Sequence, residues 1–88
     1  MLIVNICNYL IYNTSFTHKF DEENCRYYNN IGKNKEELLI CIQEQNDGFL
    51  WIHLKIDGNV NHRGKEILSL DEFLDFFKDN FNDYLIDN

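Results

Sequence analysis

The chain has little of what several common functional classes require. It contains no proline, four glycines and three cysteines, and its eight basic residues are outnumbered by fifteen acidic ones. An odd, scattered set of cysteines is not a disulfide framework, so we expect reduced thiols and a cytoplasmic protein. The glycines lie at expected turns, without the spacing of a phosphate-binding loop, and no Cys or His spacing indicates zinc. The sequence therefore predicts no enzyme, no cofactor and no metal site.

The sequence also lacks a long uninterrupted apolar run. Residues 2–12, LIVNICNYLIY, are interrupted by Asn5 and Asn8, and no basic segment precedes them. We therefore expect neither a signal peptide nor a transmembrane span. A net charge of −7 and a pI of about 4.7 argue against direct binding to nucleic acid or to an anionic membrane. The same charge suits a basic protein surface as the partner.

The 88 residues suffice for one domain, 1–88, whose small core the thirteen aromatic residues would help to fill. Residues 2–12 fit a helical stripe, but Ile, Val and Tyr dominate and the asparagines disfavour a helix. A strand is favoured there, and a helix stays open. We expect a loop over 13–24, a short strand over 25–28 and a turn or loop over 29–35.

A β-hairpin is predicted over residues 37–56, around the Asn-Asp-Gly turn at 46–48. A three-residue loop pairs Ile42 with Ile52 and gathers the aliphatic side chains on one face, with Gly48 in the left-handed region. A two-residue loop would place His53 opposite Ile42 instead. In the favoured register the opposite face carries Leu39, Cys41, Gln43, Trp51, His53 and Lys55.

The strongest helix signal is residues 69–87. Ser69 and Glu72 form a capping box, and the apolar residues that follow recur at three- and four-residue spacing. Asp57-Gly58 predicts a turn before it, followed by a strand over 60–68 that is broken near Gly64. The predicted fold is α+β: a small antiparallel sheet of hairpins in a meander, with one amphipathic C-terminal helix packed on one face.

The other side of this helix is acidic. Residues 69–88 hold six carboxylates and one lysine, and five aspartates recur every four residues, about 6 Å apart along the axis. The row could be a solvated face, but like charges at this spacing destabilise a helix, so stability does not explain it. Phe76 falls among the carboxylates as an interface anchor, unless another segment covers it. The candidate partner-binding residues are Asp71, Glu72, Asp75, Phe76, Asp79, Asp83 and Asp87.

In size, net charge and this acidic helix, the chain resembles the small acidic inhibitors of phages and mobile elements, namely anti-CRISPR proteins and other DNA mimics. The resemblance implies a protein that occupies the basic nucleic-acid channel of a nuclease or effector complex. We therefore predict a non-enzymatic inhibitor whose partner is a basic, nucleic-acid-binding protein. One alternative is an immunity protein that neutralises a basic nuclease toxin. Another is a structural or assembly protein that uses the face bearing Trp51.

Overall fold

The fold is an antiparallel sheet with two helices. The computed structural model describes residues 1–45 and 49–85, and only the backbone of 61–63. The elements in these residues are α1 (Leu2–Asn13), β1 (Thr17–Glu22), β2 (Cys25–Ile31), β3 (Glu37–Glu44), β4 (Leu50–Ile56), β5 (Asn59–Ile67) and α2 (Leu70–Phe81). The strands follow one another across the sheet in chain order, each antiparallel to the next. The predicted α+β fold with an antiparallel meander and a C-terminal helix is confirmed.

The β3–β4 pairing has the predicted register. Ile42 pairs with Ile52, and Ile40 pairs with Leu54. The Gln45 amide donates to the Phe49 carbonyl at 3.1 Å, which closes the hairpin around the three intervening residues. The conformation predicted for Gly48 lies outside the described residues.

The β4–β5 hairpin turns at Asp57 and Gly58, whose φ values of 52° and 79° fit the left-handed conformations of a tight hairpin turn. Further along β5 the pairing shifts, because Ile52 pairs with Lys65 whereas Leu54 pairs with His62. Gly64 lies at this irregularity with a φ of 72°. Strand β5 therefore continues through Gly64, and in place of the predicted break it contains a β-bulge.

The favoured prediction of a strand over residues 2–12 is wrong, because they form helix α1. Ile3, Ile6, Cys7 and Leu10 recur at helical spacing and are all buried. Burial of this stripe against the core outweighs the weak strand preference of Ile and Val. No helix among the described residues is both long and apolar enough to cross a membrane.

Two loop predictions are also wrong. Strand β1 lies within residues 13–24, and β2 continues to Ile31 instead of ending at 28. All side chains of β1 are exposed, so the segment lacks the apolar alternation by which strands are recognised. Thr14 separates α1 from β1: its hydroxyl donates to the Leu10 carbonyl and accepts from the Phe16 amide.

Both helices cover the same face of the sheet. Ile40, Ile42, Ile52 and Leu54 of the sheet are fully buried in one hydrophobic cluster with Phe73, Phe77 and Phe81 of α2 and the buried stripe of α1. Tyr9 of α1 makes edge contacts with Phe73 and Phe77, at centroid distances of 6.2 and 5.9 Å. The predicted aliphatic face therefore lies beneath the helices. Trp51, on the other face, remains 40% exposed.

Candidate protein-binding surface

Hydrogen bonds fix the start of α2. The Ser69 hydroxyl accepts from the Glu72 amide at 3.1 Å, and the Glu72 carboxylate accepts from the Leu68 amide at 3.0 Å. The predicted capping box is confirmed, although Glu72 bonds the amide one residue before the N-cap. Asp71 and Glu72 also lie in the first turn, where the helix dipole favours negative charge.

The buried side of α2 holds its acidic side in a fixed position. Phe73, Phe77 and Phe81 recur every four residues and are at most 1% exposed. The intervening carboxylates face solvent, and Asp71, Glu72, Asp75 and Asp79 are all exposed. The acidic face of α2, defined by these four residues, therefore stands on a helix anchored by three core aromatic rings.

No ion pair neutralises this face within the described part of the chain. The ion pairs found there join His18 to Asp21 at 2.8 Å and Arg26 to Glu44 at 3.7 Å, away from α2. Lys65 of β5 lines a depression with Asp75 and Asp79 without forming an ion pair. Among the described residues, the carboxylates of this face therefore have no ion-pair partner.

The acidic row is shorter than predicted. Helix α2 ends at Phe81, whose carbonyl accepts hydrogen bonds from the Tyr84 and Leu85 amides in the turn that follows. The prediction of a helix to residue 87 is therefore wrong. Asp83 is exposed in this turn, and Asp87 lies outside the described residues.

The composition after Lys78 accounts for the early end of α2. Asn and Asp are poor helix formers, and carboxylates near a helix C-terminus oppose the dipole. The Asn80 side chain also donates to the Phe76 carbonyl at 2.8 Å, so it competes for a helix backbone acceptor. Beyond the helix, the Tyr84 carbonyl accepts from the Lys33 amide at 2.7 Å. This hydrogen bond joins the turn after α2 to the β2–β3 loop.

Phe76 is not an exposed anchor. Its side chain is 7% exposed and belongs to the hydrophobic cluster, so the alternative in which another segment covers it is the correct one. It lines the depression of ≈ 560 Å³ that also includes Lys65 of β5 and the carboxylates Asp75 and Asp79. The spacing of the helix residues alone does not encode this burial, which depends on the packing of other segments against α2.

A second surface is the side of the sheet that faces away from the helices, which we call the outer face. The six residues predicted to lie there do so, since they pair as Leu39 with Lys55, Cys41 with His53 and Gln43 with Trp51. The neighbouring strands complete it with Phe20, Glu22, Cys25, Tyr27, Val60 and Glu66. Its centre is a shallow depression of ≈ 360 Å³. The contributions of β1 were missed because that strand has no apolar pattern.

The outer face has little nucleophilic character. Burial raises the pKa of the Cys41 thiol to about 11, and burial also raises the pKa of Tyr27, whose hydroxyl donates to Glu22 at 3.2 Å. Both groups therefore stay protonated near neutral pH. The Gly64 amide donates to Nδ1 of His53 at 3.1 Å. In the described residues, no group of three or more His, Cys, Asp or Glu side chains could hold a metal ion.

The chain thus presents an acidic helix on one side and a mixed aromatic and charged sheet face on the other. No family model, curated protein or solved structure matches it. The functional argument therefore rests on the charges and contacts of these two surfaces.

Proposed function

We propose that this protein is a non-enzymatic inhibitor that binds a basic surface of a nucleic-acid-binding protein through the acidic face of α2. The bound inhibitor blocks access of the nucleic acid to that surface. The observation that carries the proposal is the set of exposed carboxylates at Asp71, Asp75 and Asp79, which have no ion-pair partner in the described residues.

The rigidity of the helix supports this function. The three carboxylates repeat once per turn, about 6 Å apart along the axis. The capped N-terminus and the buried phenylalanines already order the backbone that carries them. A partner therefore loses little free energy in ordering the backbone of this surface, which favours binding.

The repulsion between the carboxylates of α2 also supports the proposed function. Each i,i+4 pair of like charges destabilises a helix by about 0.2–0.5 kcal/mol. Lysines at alternate positions would keep the helix soluble without this penalty. A basic partner offsets the repulsion by placing against the row the cations that would otherwise contact the phosphates of nucleic acid.

Competition with nucleic acid tests this function. The protein is immobilised, exposed to a lysate of its native host, and washed with duplex DNA or with RNA. We expect a captured protein that either nucleic acid displaces, and an affinity in isothermal titration that falls steeply with salt, because exposed charges are screened over ~10 Å at 0.1 M. Identification of the captured protein distinguishes an effector complex from a nuclease toxin.

A matched pair of variants assigns the binding to α2. Asp75→Asn with Asp79→Asn removes two charges from the acidic face, whereas Asp21→Asn with Glu23→Gln removes two exposed charges elsewhere. We expect the first pair to slow association with the captured protein about ten-fold or more, and the second to leave it within about two-fold. Equal effects of the two pairs, or retention of the partner in saturating nucleic acid, would refute the proposal.

A further inference from the structure

The charges of the outer face are separated along the strands. A central row of cross-strand partners runs through Phe20, Tyr27, Cys41 and His53. Toward one end lies the row of Leu39, Lys55 and Val60, and Lys19 of β1 lines a second depression that Lys55 also lines. Toward the other end lies the row of Glu22, Cys25, Gln43, Trp51 and Glu66. On the outer face, the row on one side of the central row is therefore basic, and the row on its other side is acidic.

The outer face exposes enough apolar surface for burial. Phe20, Trp51 and Val60 are 41%, 40% and 44% exposed, although each is large and hydrophobic. Phe20 also stacks on Tyr27 at a centroid distance of 4.5 Å, so the aromatic surface is ordered before any partner arrives. Both helices lie on the other side of the sheet, because their buried side chains join the cluster of the inner face.

We propose that the outer face binds the outer face of a second copy of this chain. The two-fold axis lies between the two sheets, perpendicular to the strands and over the central row. This rotation brings the basic row of each copy against the acidic row of the other. Lys55 then faces the Trp51 indole and the neighbouring Glu66 of the second copy, and Lys19 faces Glu22. A cation over an indole and an ion pair reinforce each other at the same position.

Two carboxylates beyond the basic row do not oppose this arrangement. Glu37 of β3 lies one row further out on the outer face, and Asp57, whose carboxylate accepts from the Glu37 amide at 2.7 Å, lies beside it. The rotation places both near Gln45 and Phe49, which are uncharged. The acidic face of α2 points away from the contact, so the net charge of −7 is not concentrated between the two copies.

The available area fits a dimer of modest affinity. At ~4.8 Å between strands and ~3.3 Å per residue, five strands offer roughly 24 by 20 Å, or ~500 Å² per copy. Two such footprints reach the ~1,000 Å² at which specific interfaces begin. We therefore expect a dimer with a dissociation constant in the micromolar range.

Sedimentation equilibrium of the full chain tests the dimer. We expect a reversible monomer–dimer equilibrium, with the emission of Trp51, the sole tryptophan, moving to shorter wavelength as the dimer forms. Lys55→Glu and Glu66→Lys should each weaken dimerisation about ten-fold or more, because each places like charges together at two equivalent contacts. Lys78→Glu makes the same charge change as Lys55→Glu on the helix side and should leave dimerisation unchanged.

Mixing the two interface variants gives the sharpest result. A copy carrying Lys55→Glu presents two acidic residues, and a copy carrying Glu66→Lys presents two basic ones. The two-fold arrangement predicts that their equimolar mixture forms a heterodimer much tighter than either variant's own dimer, because both ion pairs are restored and only one of the two contacts between Lys55 and the indole is lost. A parent chain that stays monomeric to about 1 mM, equal effects of Lys55→Glu and Lys78→Glu, or a mixture that stays monomeric would overturn the proposal.

Discussion

The indole ring of Trp51 packs against the backbone of Gly64 on the neighbouring strand. A Cβ atom at Gly64 would lie 3.1 Å from Cε3 of Trp51, which is closer than ordinary van der Waals contact. Gly64 also has a φ of 72°, in the left-handed region that side chains disfavour. Glycine is thus required at the bulge for its conformation and for the ring that lies over it.

Two glycine substitutions separate these requirements. Gly58→Ala retains a left-handed φ of 79° but has no atom within 4 Å of the new Cβ, so we expect a loss of about 1–2 kcal/mol from backbone strain alone. Gly64→Ala should lose more stability and change the Trp51 emission spectrum, because the ring must move. Urea unfolding followed by tryptophan fluorescence measures both effects. Equal losses with an unchanged spectrum would contradict the packing contact.

The burial of Phe76 changes what its truncation should do. Phe76→Ala should destabilise the fold by about 3–5 kcal/mol, as expected for a core phenylalanine. Phe20→Ala, at a position 41% exposed, removes the same side chain and should cost about 1 kcal/mol, mainly through its stacking on Tyr27. The denaturant midpoints of the two variants measure these losses of stability. Similar midpoints for both would contradict the burial of Phe76.

The repulsion along α2 predicts a stabilising substitution. Asp75→Asn removes the like-charge pairs with Asp71 and Asp79, so we expect a gain of about 0.4–1 kcal/mol in the free energy of unfolding. Asp83→Asn should have almost no effect, because α2 ends at Phe81 and Asp83 lies in the turn. Thermal unfolding at low salt compares the two. A comparable gain at Asp83 would indicate a helix that continues past residue 81.

The Cys41 thiol gives stability a pH dependence in the alkaline range. Burial raises its pKa from 9.0 to about 11, so the folded state holds this proton more tightly than the unfolded state. The contribution is complete below the unfolded pKa and is lost as pH rises through the folded pKa. We expect the free energy of unfolding to fall more steeply over this window in the parent than in Cys41→Ala. Parallel pH profiles would show that Cys41 makes no such contribution.

The parts of the fold that were predicted correctly depend on short-range sequence signals. The hairpin register follows from a turn sequence and from alternation, which admits one pairing with all aliphatic residues on one side. The cap of α2 depends on residues three positions apart, Ser69 and Glu72. Neither feature needs knowledge of the remaining chain.

The incorrect predictions concern segments whose structure depends on distant contacts. Residues 2–12 have apolar residues at helical spacing, but many of these residue types favour strands. Only packing against the core beneath the segment decides between helix and strand. Strand β1 is an edge strand held by β2, and its exposed side chains carry no pattern. In the candidate site Asp71, Glu72, Asp75 and Asp79 are exposed on the helix as predicted, whereas Asp83 lies in the turn beyond it and Asp87 lies outside the described residues. The burial of Phe76 depends on packing that the helix spacing does not encode.

The order of the elements has a consequence for folding. Each strand pairs with its neighbour in the chain, so the sheet needs only short loop closures and should form quickly. Its inner face, however, is covered from both ends of the chain, by α1 at residues 2–13 and by α2 at residues 70–81. During synthesis all five strands leave the ribosome before α2 does. The nascent sheet must therefore carry part of its apolar surface uncovered until the final helix docks, and this is the stage at which the protein is most prone to aggregate.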